Sequence, residues 1–164
     1  MQPSILIAGV GNIFYGDDAF GSEVARRLAQ TPLLPEARVV DFGIRGHDFA
    51  FALQNDYDAV ILLDIAQRSR PPGTVSLIEP DWNGWPDQKD AGVIDAHAVH
   101  PVRVLRFLQA QGRKLPPIWL VACEPLTFGP EEGHIGLSEP VATAVAEAVE
   151  LVHSLLKRMV SYEQ

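Results

Sequence analysis

The sequence feature that most restricts the fold is the run from Asp58 to Ile65, which reads Asp-Ala-Val-Ile-Leu-Leu-Asp-Ile. This run is nearly all apolar, a pattern that is typical of a strand buried on both faces. Strands of that kind occur mainly in parallel sheets whose two faces are both covered by helices. The run therefore predicts a sheet with helices on either side.

Strand and helix patterns alternate along the rest of the chain. Strands are predicted over 4–8, 38–42, 74–78 and 118–123, and helices from Phe20, around Phe49, over 99–111 and after a cap at Ser138. The alternation predicts an α/β fold, a three-layer sandwich with a mostly parallel, twisted sheet of about five strands flanked by helices. The 164 residues contain no repeat or linker, so we expect a single domain spanning 1–164.

Charge and hydropathy exclude several classes of partner. The formal net charge of -8 argues against a nucleic-acid partner, because phosphate neutralisation needs clustered Lys and Arg. Residues 1–10 lack a basic start and do not resemble a signal peptide. No stretch reaches the roughly 18 apolar residues that a transmembrane helix needs. We therefore expect a cytoplasmic protein with neither a nucleic-acid nor a membrane partner.

The turn after the first strand contains glycines and two acidic residues. A dinucleotide-binding fingerprint starting at Gly9 would need a third glycine at position 14, which is Phe14. A P-loop is excluded because no Gly-Lys-Ser/Thr follows. Asp17 and Asp18 would repel a phosphate but are suited to holding a cation. No organic cofactor is expected.

Three candidate metal ligands are predicted to converge at one edge of the sheet. Ligands of α/β sheets bind outside the carboxyl ends of the strands, where Asp64 ends the central strand and Asp18 begins the first helix. His97 stands at the entry to a later helix, with His100 as its neighbour and rival. Two carboxylates and an imidazole suit divalent Ni, Zn, Mn or Fe, and three protein ligands leave coordination positions open. Taken singly, Asp64 is equally consistent with a cap or turn aspartate, and a histidine at this position is more often a capping or surface residue.

Sequence signatures of other hydrolases are absent. The chain has neither H-E-x-x-H nor G-x-S-x-G, so it is not a zincin and has no nucleophile elbow. Its single cysteine, Cys123, excludes an intrachain disulfide and a cysteine-rich zinc site. Because Cys123 ends an apolar strand, we expect a buried, inert thiol and not a nucleophile.

The motifs resemble those of one known family. Residues 7–12 (Ile-Ala-Gly-Val-Gly-Asn) and 16–21 (Gly-Asp-Asp-Ala-Phe-Gly) together resemble the opening motif of the hydrogenase maturation proteases. The similarity continues in order through 41–46, the strand ending at Asp64, the turn 72–74, the segment around His97, and 136–138. It therefore covers nearly the whole chain.

The resemblance implies both an activity and a site. The family cleaves the C-terminal extension from the precursor of the nickel–iron hydrogenase large subunit after nickel insertion, and the nickel in that precursor is the recognition signal. The family's metal-contacting positions fall on Asp18, Asp64 and His97. In the family the position of Asp18 is often Glu, so the side chain of Asp18 is shorter by one methylene group. Asp18, Asp64 and Asp17 are the candidate catalytic acids, with Asp17 a candidate general base.

Two alternatives are also consistent with the sequence. One is a non-catalytic maturation chaperone that checks nickel insertion without cutting. The other is a nucleotide- or phosphate-binding α/β protein that uses the Gly9-Val10-Gly11 turn. A cleavage assay separates the first from a protease, and stabilisation by a nucleotide would indicate the second.

Overall fold

The computed structural model describes residues 3–79 and 101–162. Five strands form one sheet in the order β2-β1-β3-β5-β4. The strands are β1 (Ile5–Val10), β2 (Ala37–Gly43), β3 (Ala59–Ile65), β4 (Val75–Ile78) and β5 (Ile118–Cys123). The helices are a 3-10 turn (Gly16–Ala19), α1 (Phe20–Ala29), α2 (Gly46–Ala52), α3 (Pro101–Ala110) and α4 (Glu139–Ser161).

Four strands of the sheet run parallel and one edge strand does not. β1 pairs in parallel with both β2 and β3, and β3 pairs in parallel with β5. β4 alone pairs antiparallel with its neighbour β5. The central position of β3 explains its apolar sequence, because its residues 60–64 are all buried. The predicted α/β fold with a mostly parallel sheet is confirmed.

Helices cover both faces of the sheet and create two separate cores. Residues of α1 and α4 pack on one face, around Phe20, Val24 and Leu156. Residues of α2 and α3 pack on the other face, around Phe49, Leu105 and Leu108. Together these layers form the three-layer sandwich that the alternating pattern predicts.

The strand order creates a switch point beside β1. The chain passes from β1 to β2 on one side and then returns to place β3 on the other side of β1. Connections that leave in opposite directions open a crevice outside the carboxyl ends of the two inner strands. The crevice therefore lies beyond the ends of β1 and β3, beside the turn that carries Asp18 and next to Asp64.

Two glycines hold α1 close to this switch point. A Cβ added at Gly21 would lie 2.2 Å from the carbonyl oxygen of Leu63, and one added at Gly9 would lie 2.5 Å from the carbonyl oxygen of Gly21. Real Cβ atoms do not approach that closely, so only glycine lets the first turn of α1 pack against β1 and β3. The paired glycines of the opening motif therefore fix the start of the helix that follows Asp18.

The longest helix described, α4, packs along one face of the sheet. Its apolar residues that face the sheet are buried, including Val141, Val145 and Val152. Ser138 occupies the N-cap position, which confirms the predicted start of the helix, but its side chain makes no capping hydrogen bond. Within the described residues, no helix is both long and apolar enough to cross a membrane.

Candidate active site

Asp18 lies in the short 3-10 turn between β1 and α1. The backbone N–H of Asn12 donates a hydrogen bond to Oδ2 of Asp18 at 2.8 Å. Gly11 makes this approach possible: its φ is +137°, and a Cβ there would lie 1.9 Å from the carbonyl oxygen of Asp18. The glycines of the loop thus allow the backbone to wrap closely around the Asp18 carboxylate.

Asp64 is the penultimate residue of β3 and faces the same crevice as Asp18. It is only 8% exposed, and the backbone N–H of Ile65 donates to its Oδ1 at 2.8 Å. Burial raises the pKa of Asp64 well above the usual value, and the negative charge of Asp18 raises it further. Burial also raises the pKa of Asp18, although the Asn12 N–H partly opposes that effect. The structure therefore brings these two predicted site residues together.

Positive charge does not balance these carboxylates within the part of the chain described. The salt bridges of Arg26 with Glu23 and of Arg45 with Asp48 involve neither acid. Buried carboxylates without a cation are costly, and a bound divalent ion would relieve that cost. The electrostatics of Asp18 and Asp64 therefore favour the binding of a cation.

Asp17 has a different environment from its neighbour Asp18. Its side chain is fully buried, with 0% exposure. Oδ2 accepts hydrogen bonds from the backbone N–H groups of Leu126 (2.8 Å) and Thr127 (3.0 Å) and from the hydroxyl of Ser138 (2.8 Å). Oδ1 accepts from the backbone N–H of Ser138 at 2.7 Å. These contacts explain why the Ser138 hydroxyl does not cap α4, and they weigh against the prediction that Asp17 is a general base.

The third predicted ligand, His97, lies outside the described residues, as does its rival His100. Among residues 3–79 and 101–162, no group of three or more His, Cys, Asp or Glu side chains is arranged to hold a metal ion. Asp18 and Asp64 thus lie at the same crevice, and metal contact by these two residues and by His97 stays a prediction.

Cys123 is the buried thiol that the sequence predicts. Burial raises its pKa to about 12, and the negative charges of Asp17, Glu124 and Glu147 contribute to the shift. A thiol with this pKa is protonated at neutral pH and is a poor nucleophile. The expectation of a buried cysteine is confirmed, and the raised pKa supports the prediction that the thiol is inert.

Sequence reasoning missed Glu124, which directly follows β5. It is only 9% exposed, and the backbone N–H of Arg68 donates to its Oε2 at 2.8 Å. That bond ties the loop after Asp64 to the end of β5. The signal was present in the sequence, because Glu124 is an acid directly after a buried strand, the same pattern that identified Asp64.

Comparison with known proteins assigns the chain to a family. Residues 22–155 match the family model described as hydrogenase maturation protease. The chain belongs to the hydrogenase maturation protease family. A Methanocaldococcus jannaschii protein assigned to these proteases is 32% identical over 158 residues, covering 96% of this chain and 99% of its own. The hydrogenase 2 maturation protease of Escherichia coli is 27% identical over 158 residues, covering 93% of this chain and 90% of its own.

Solved structures of hydrogenase maturation proteases share this fold. The maturating endopeptidase HybD from E. coli superposes with a TM-score of 0.77 at 25% identity, covering 95% of this chain and 93% of that one. A hydrogenase 2 maturation peptidase from a Thaumarchaeota archaeon gives a TM-score of 0.70 at 33% identity, covering 94% and 98%. The family resemblance that the motifs indicate is therefore confirmed over nearly the whole chain.

Proposed function

We propose that this protein is the endopeptidase that removes the C-terminal extension from the large-subunit precursor of a nickel–iron hydrogenase after nickel insertion. Membership of the hydrogenase maturation protease family supports the reaction class. The observation that carries the proposal is the pair Asp18 and Asp64, two interacting carboxylates at the switch point of the sheet.

In this proposal the nickel belongs to the substrate, and Asp18, Asp64 and His97 contact it. Carboxylate oxygens and an imidazole nitrogen are suitable ligands for divalent nickel. Burial and the negative charge of Asp18 both disfavour the ionised form of Asp64, which is why its pKa is raised. A divalent ion carried in by the precursor stabilises that form. A precursor without nickel does not stabilise the ionised form of Asp64. In this way the acid pair would distinguish precursors with nickel from those without it.

The chemistry that follows is hydrolysis of one peptide bond beside the bound nickel. Water adds to the scissile carbonyl carbon, a base takes the water proton, and the amine leaves with a proton. The candidate bases are the same acids, Asp18, Asp64 and Asp17. The four hydrogen bonds of Asp17 favour the other two for this role. Binding the nickel also fixes the tail in register, which lowers the barrier through positioning.

Exposed apolar side chains near the acid pair fit a protein client. They lie in loops that follow the carboxyl ends of parallel strands: Ile13, Phe14, Ile44, Leu126 and Ile135. The most exposed of them is Ile135, at 72%. Exposed apolar groups grouped at one edge often mark contact sites for another protein. The proposed partner is the hydrogenase large-subunit precursor, and the proposed compartment is the cytoplasm.

A cleavage assay tests this proposal. Purified nickel-loaded precursor is incubated with the wild-type protein or with Asp64→Asn, and shortening of the precursor is followed by gel electrophoresis. We expect wild-type protein to shorten the precursor and the folded Asp64→Asn variant to leave it intact. Normal processing by Asp64→Asn would contradict the site. Binding by the wild-type protein without cleavage would instead support the chaperone alternative.

A further inference from the structure

The Asp17 carboxylate joins two segments that are far apart in the sequence. Its four donors belong to Leu126, Thr127 and Ser138, near the two ends of the loop between β5 and α4. Hydrogen bonds to an ionised acceptor are stronger than neutral ones, especially where water is excluded. The location near the first turn of α4 adds a favourable interaction with the helix dipole. Asp17 is therefore a strong attachment point for this loop.

Backbone hydrogen bonds join the same two segments. The N–H of Asp17 donates to the carbonyl of Thr127 at 3.0 Å, and the N–H of Gly16 donates to the carbonyl of His134 at 2.8 Å. The N–H of His134 in turn donates to the carbonyl of Phe14 at 2.7 Å. The loop and the turn before α1 therefore form one connected unit, with the buried carboxylate at its centre.

We propose that Asp17 is a positioning residue: its buried carboxylate fastens the turn that carries Asp18 to the β5–α4 loop, and thereby holds the Asp18 carboxylate at the correct place relative to Asp64. The inference rests on the proposed function, since it assigns Asp17 a part in that reaction without contact with the substrate. It replaces the general-base role that the sequence suggested for this residue.

The geometry of the turn explains why Asp18 depends on its neighbour. The turn is only four residues long, Gly16–Ala19, so a rotation at Asp17 moves Asp18 directly. The turn also packs closely on Gly11, where an added Cβ would lie 1.9 Å from the Asp18 carbonyl oxygen, so a displaced turn would lose this packing as well. A shift of about 1 Å at a catalytic group lowers rates by about 100-fold in enzymes that work by positioning.

The test compares two variants of the attachment point with a destabilised control. Asp17→Asn keeps the shape but places an NH2 group against at least one of the N–H or O–H donors. Ser138→Ala removes the hydroxyl and leaves the backbone N–H donors. The control, Leu156→Ala, leaves a cavity in the core in the C-terminal part of α4, which begins after Ser138. Thermal unfolding is measured first, and all assays run well below the lowest transition.

Two readouts separate positioning from general stability. Hydrogen exchange at the amides of Leu126, Thr127 and Ser138 reports the attachment itself and needs no substrate. Steady-state processing of the nickel-loaded precursor gives kcat and KM separately. For Asp17→Asn we expect at least about tenfold faster exchange at these amides, with kcat lowered at least about tenfold and KM within about threefold. Ser138→Ala should give smaller changes in the same direction, and Leu156→Ala should keep kcat near the wild-type value.

The outcomes are distinguishable. Unchanged exchange in both attachment variants would overturn the proposed fastening. Faster exchange with kcat no lower than in Leu156→Ala would overturn the positioning role while leaving the protease function in place. Failure of the wild-type protein itself to process the precursor would overturn the proposed function and this inference together. If Asp17→Asn does not fold, exchange rates and kcat are compared between Ser138→Ala and Leu156→Ala, and the same two criteria are applied to Ser138→Ala.

Discussion

The negative charge of Asp18 raises the pKa of Asp64, so the two carboxylates of the crevice repel each other across the switch point. Asp64 is the more buried of the two, and burial is the larger cause of its raised pKa. Two buried carboxylates that repel each other destabilise the fold unless a cation binds in the crevice. The relationship therefore leads to predictions about both stability and activity.

The first prediction concerns stability and pH. Because the pKa of Asp64 in the folded protein lies above its ordinary value of 3.8, the ionised form disfavours folding. The contribution of Asp64 is therefore most favourable below pH 3.8 and is lost as the pH rises through the raised folded pKa. Asp64→Asn should be more stable than wild type at neutral pH, because the uncharged amide avoids the cost of burying the ionised carboxylate. This advantage should vanish in acid, where Asp64 is itself uncharged.

Urea unfolding at a series of pH values measures this difference. Asp56→Asn is the matched control, because Asp56 is an exposed aspartate and its replacement removes the same charge without a change in the buried crevice. If Asp64→Asn proved less stable than wild type at neutral pH, the account of an electrostatically strained acid pair would be wrong.

The second prediction concerns the charge and reach of Asp18. Asp18→Asn keeps the size of the side chain but removes the negative charge that would hold a cation. The rate of processing should therefore fall by about 100-fold or more, because even the loss of residues that only support metal ligands lowers activity by about 10- to 100-fold. Asp18→Glu should retain measurable processing, because the carboxylate is kept on a side chain that is longer by one methylene group. Initial rates with nickel-loaded precursor measure both. Equal rates for Asp18→Asn and wild type would remove Asp18 from the site.

The third prediction concerns the close packing of α1. Gly21→Ala places a methyl group 2.2 Å from the Leu63 carbonyl oxygen, so the helix must move away from the sheet. Overpacking of this kind costs about 3 kcal/mol or more when backbone atoms are the obstacle. Gly112→Ala is the control: nothing lies within 4 Å of the added Cβ, and only its positive φ of 78° is unfavourable, at about 1 kcal/mol. Denaturant unfolding of both variants tests the difference, and equal losses would contradict it.

The fourth prediction concerns contact with the client protein. Phe14, which is 56% exposed beside the turn that carries the acids, should lie within the interface with the precursor. Phe14→Ser should therefore raise KM for processing by about tenfold, the loss expected for one apolar anchor at an interface. Phe51→Ser is the control, because Phe51 is 72% exposed on α2 and away from these loops. Similar KM values for the two variants would argue against this edge as the docking surface.

The fifth prediction separates this site from that of a thiol protease. With a pKa of about 12, Cys123 is almost entirely protonated at neutral pH, and it is fully buried. Thiol-alkylating reagents should not inhibit processing, and Cys123→Ala should retain activity with a modest loss of stability. The assay is processing after incubation with iodoacetamide. Complete inhibition of the folded protein by that reagent would show that the thiol takes part.

The sequence predicts those features of the molecule that depend on local patterns. The apolar run of β3 is recognisable because the strand is buried along its length, and Asp64 because a carboxylate at the end of such a run is unusual. The antiparallel direction of β4 was not predicted, since a four-residue strand with half-buried side chains contains no signal of direction.

Contacts between distant parts of the chain explain what local patterns leave open. Ser138 is correctly predicted at the start of α4, but its hydroxyl donates a hydrogen bond to the carboxylate of Asp17, which is 121 residues away. The donors of the four hydrogen bonds to Asp17 are 109 to 121 residues away from it, so no local pattern shows these bonds. A short motif places Asp17 and Asp18 side by side, yet only the tertiary fold gives one a buried anchoring role and the other a place in the crevice.

The central claim is that the protein trims its client only after nickel has been inserted. The most direct test is the intact mass of a hydrogenase large-subunit precursor, in nickel-loaded and nickel-free form, before and after incubation with the wild-type protein. We predict that the nickel-loaded precursor loses the mass of a C-terminal peptide and that the nickel-free precursor is unchanged. Equal cleavage of both forms, or cleavage of neither by a protein that is folded, would contradict the account.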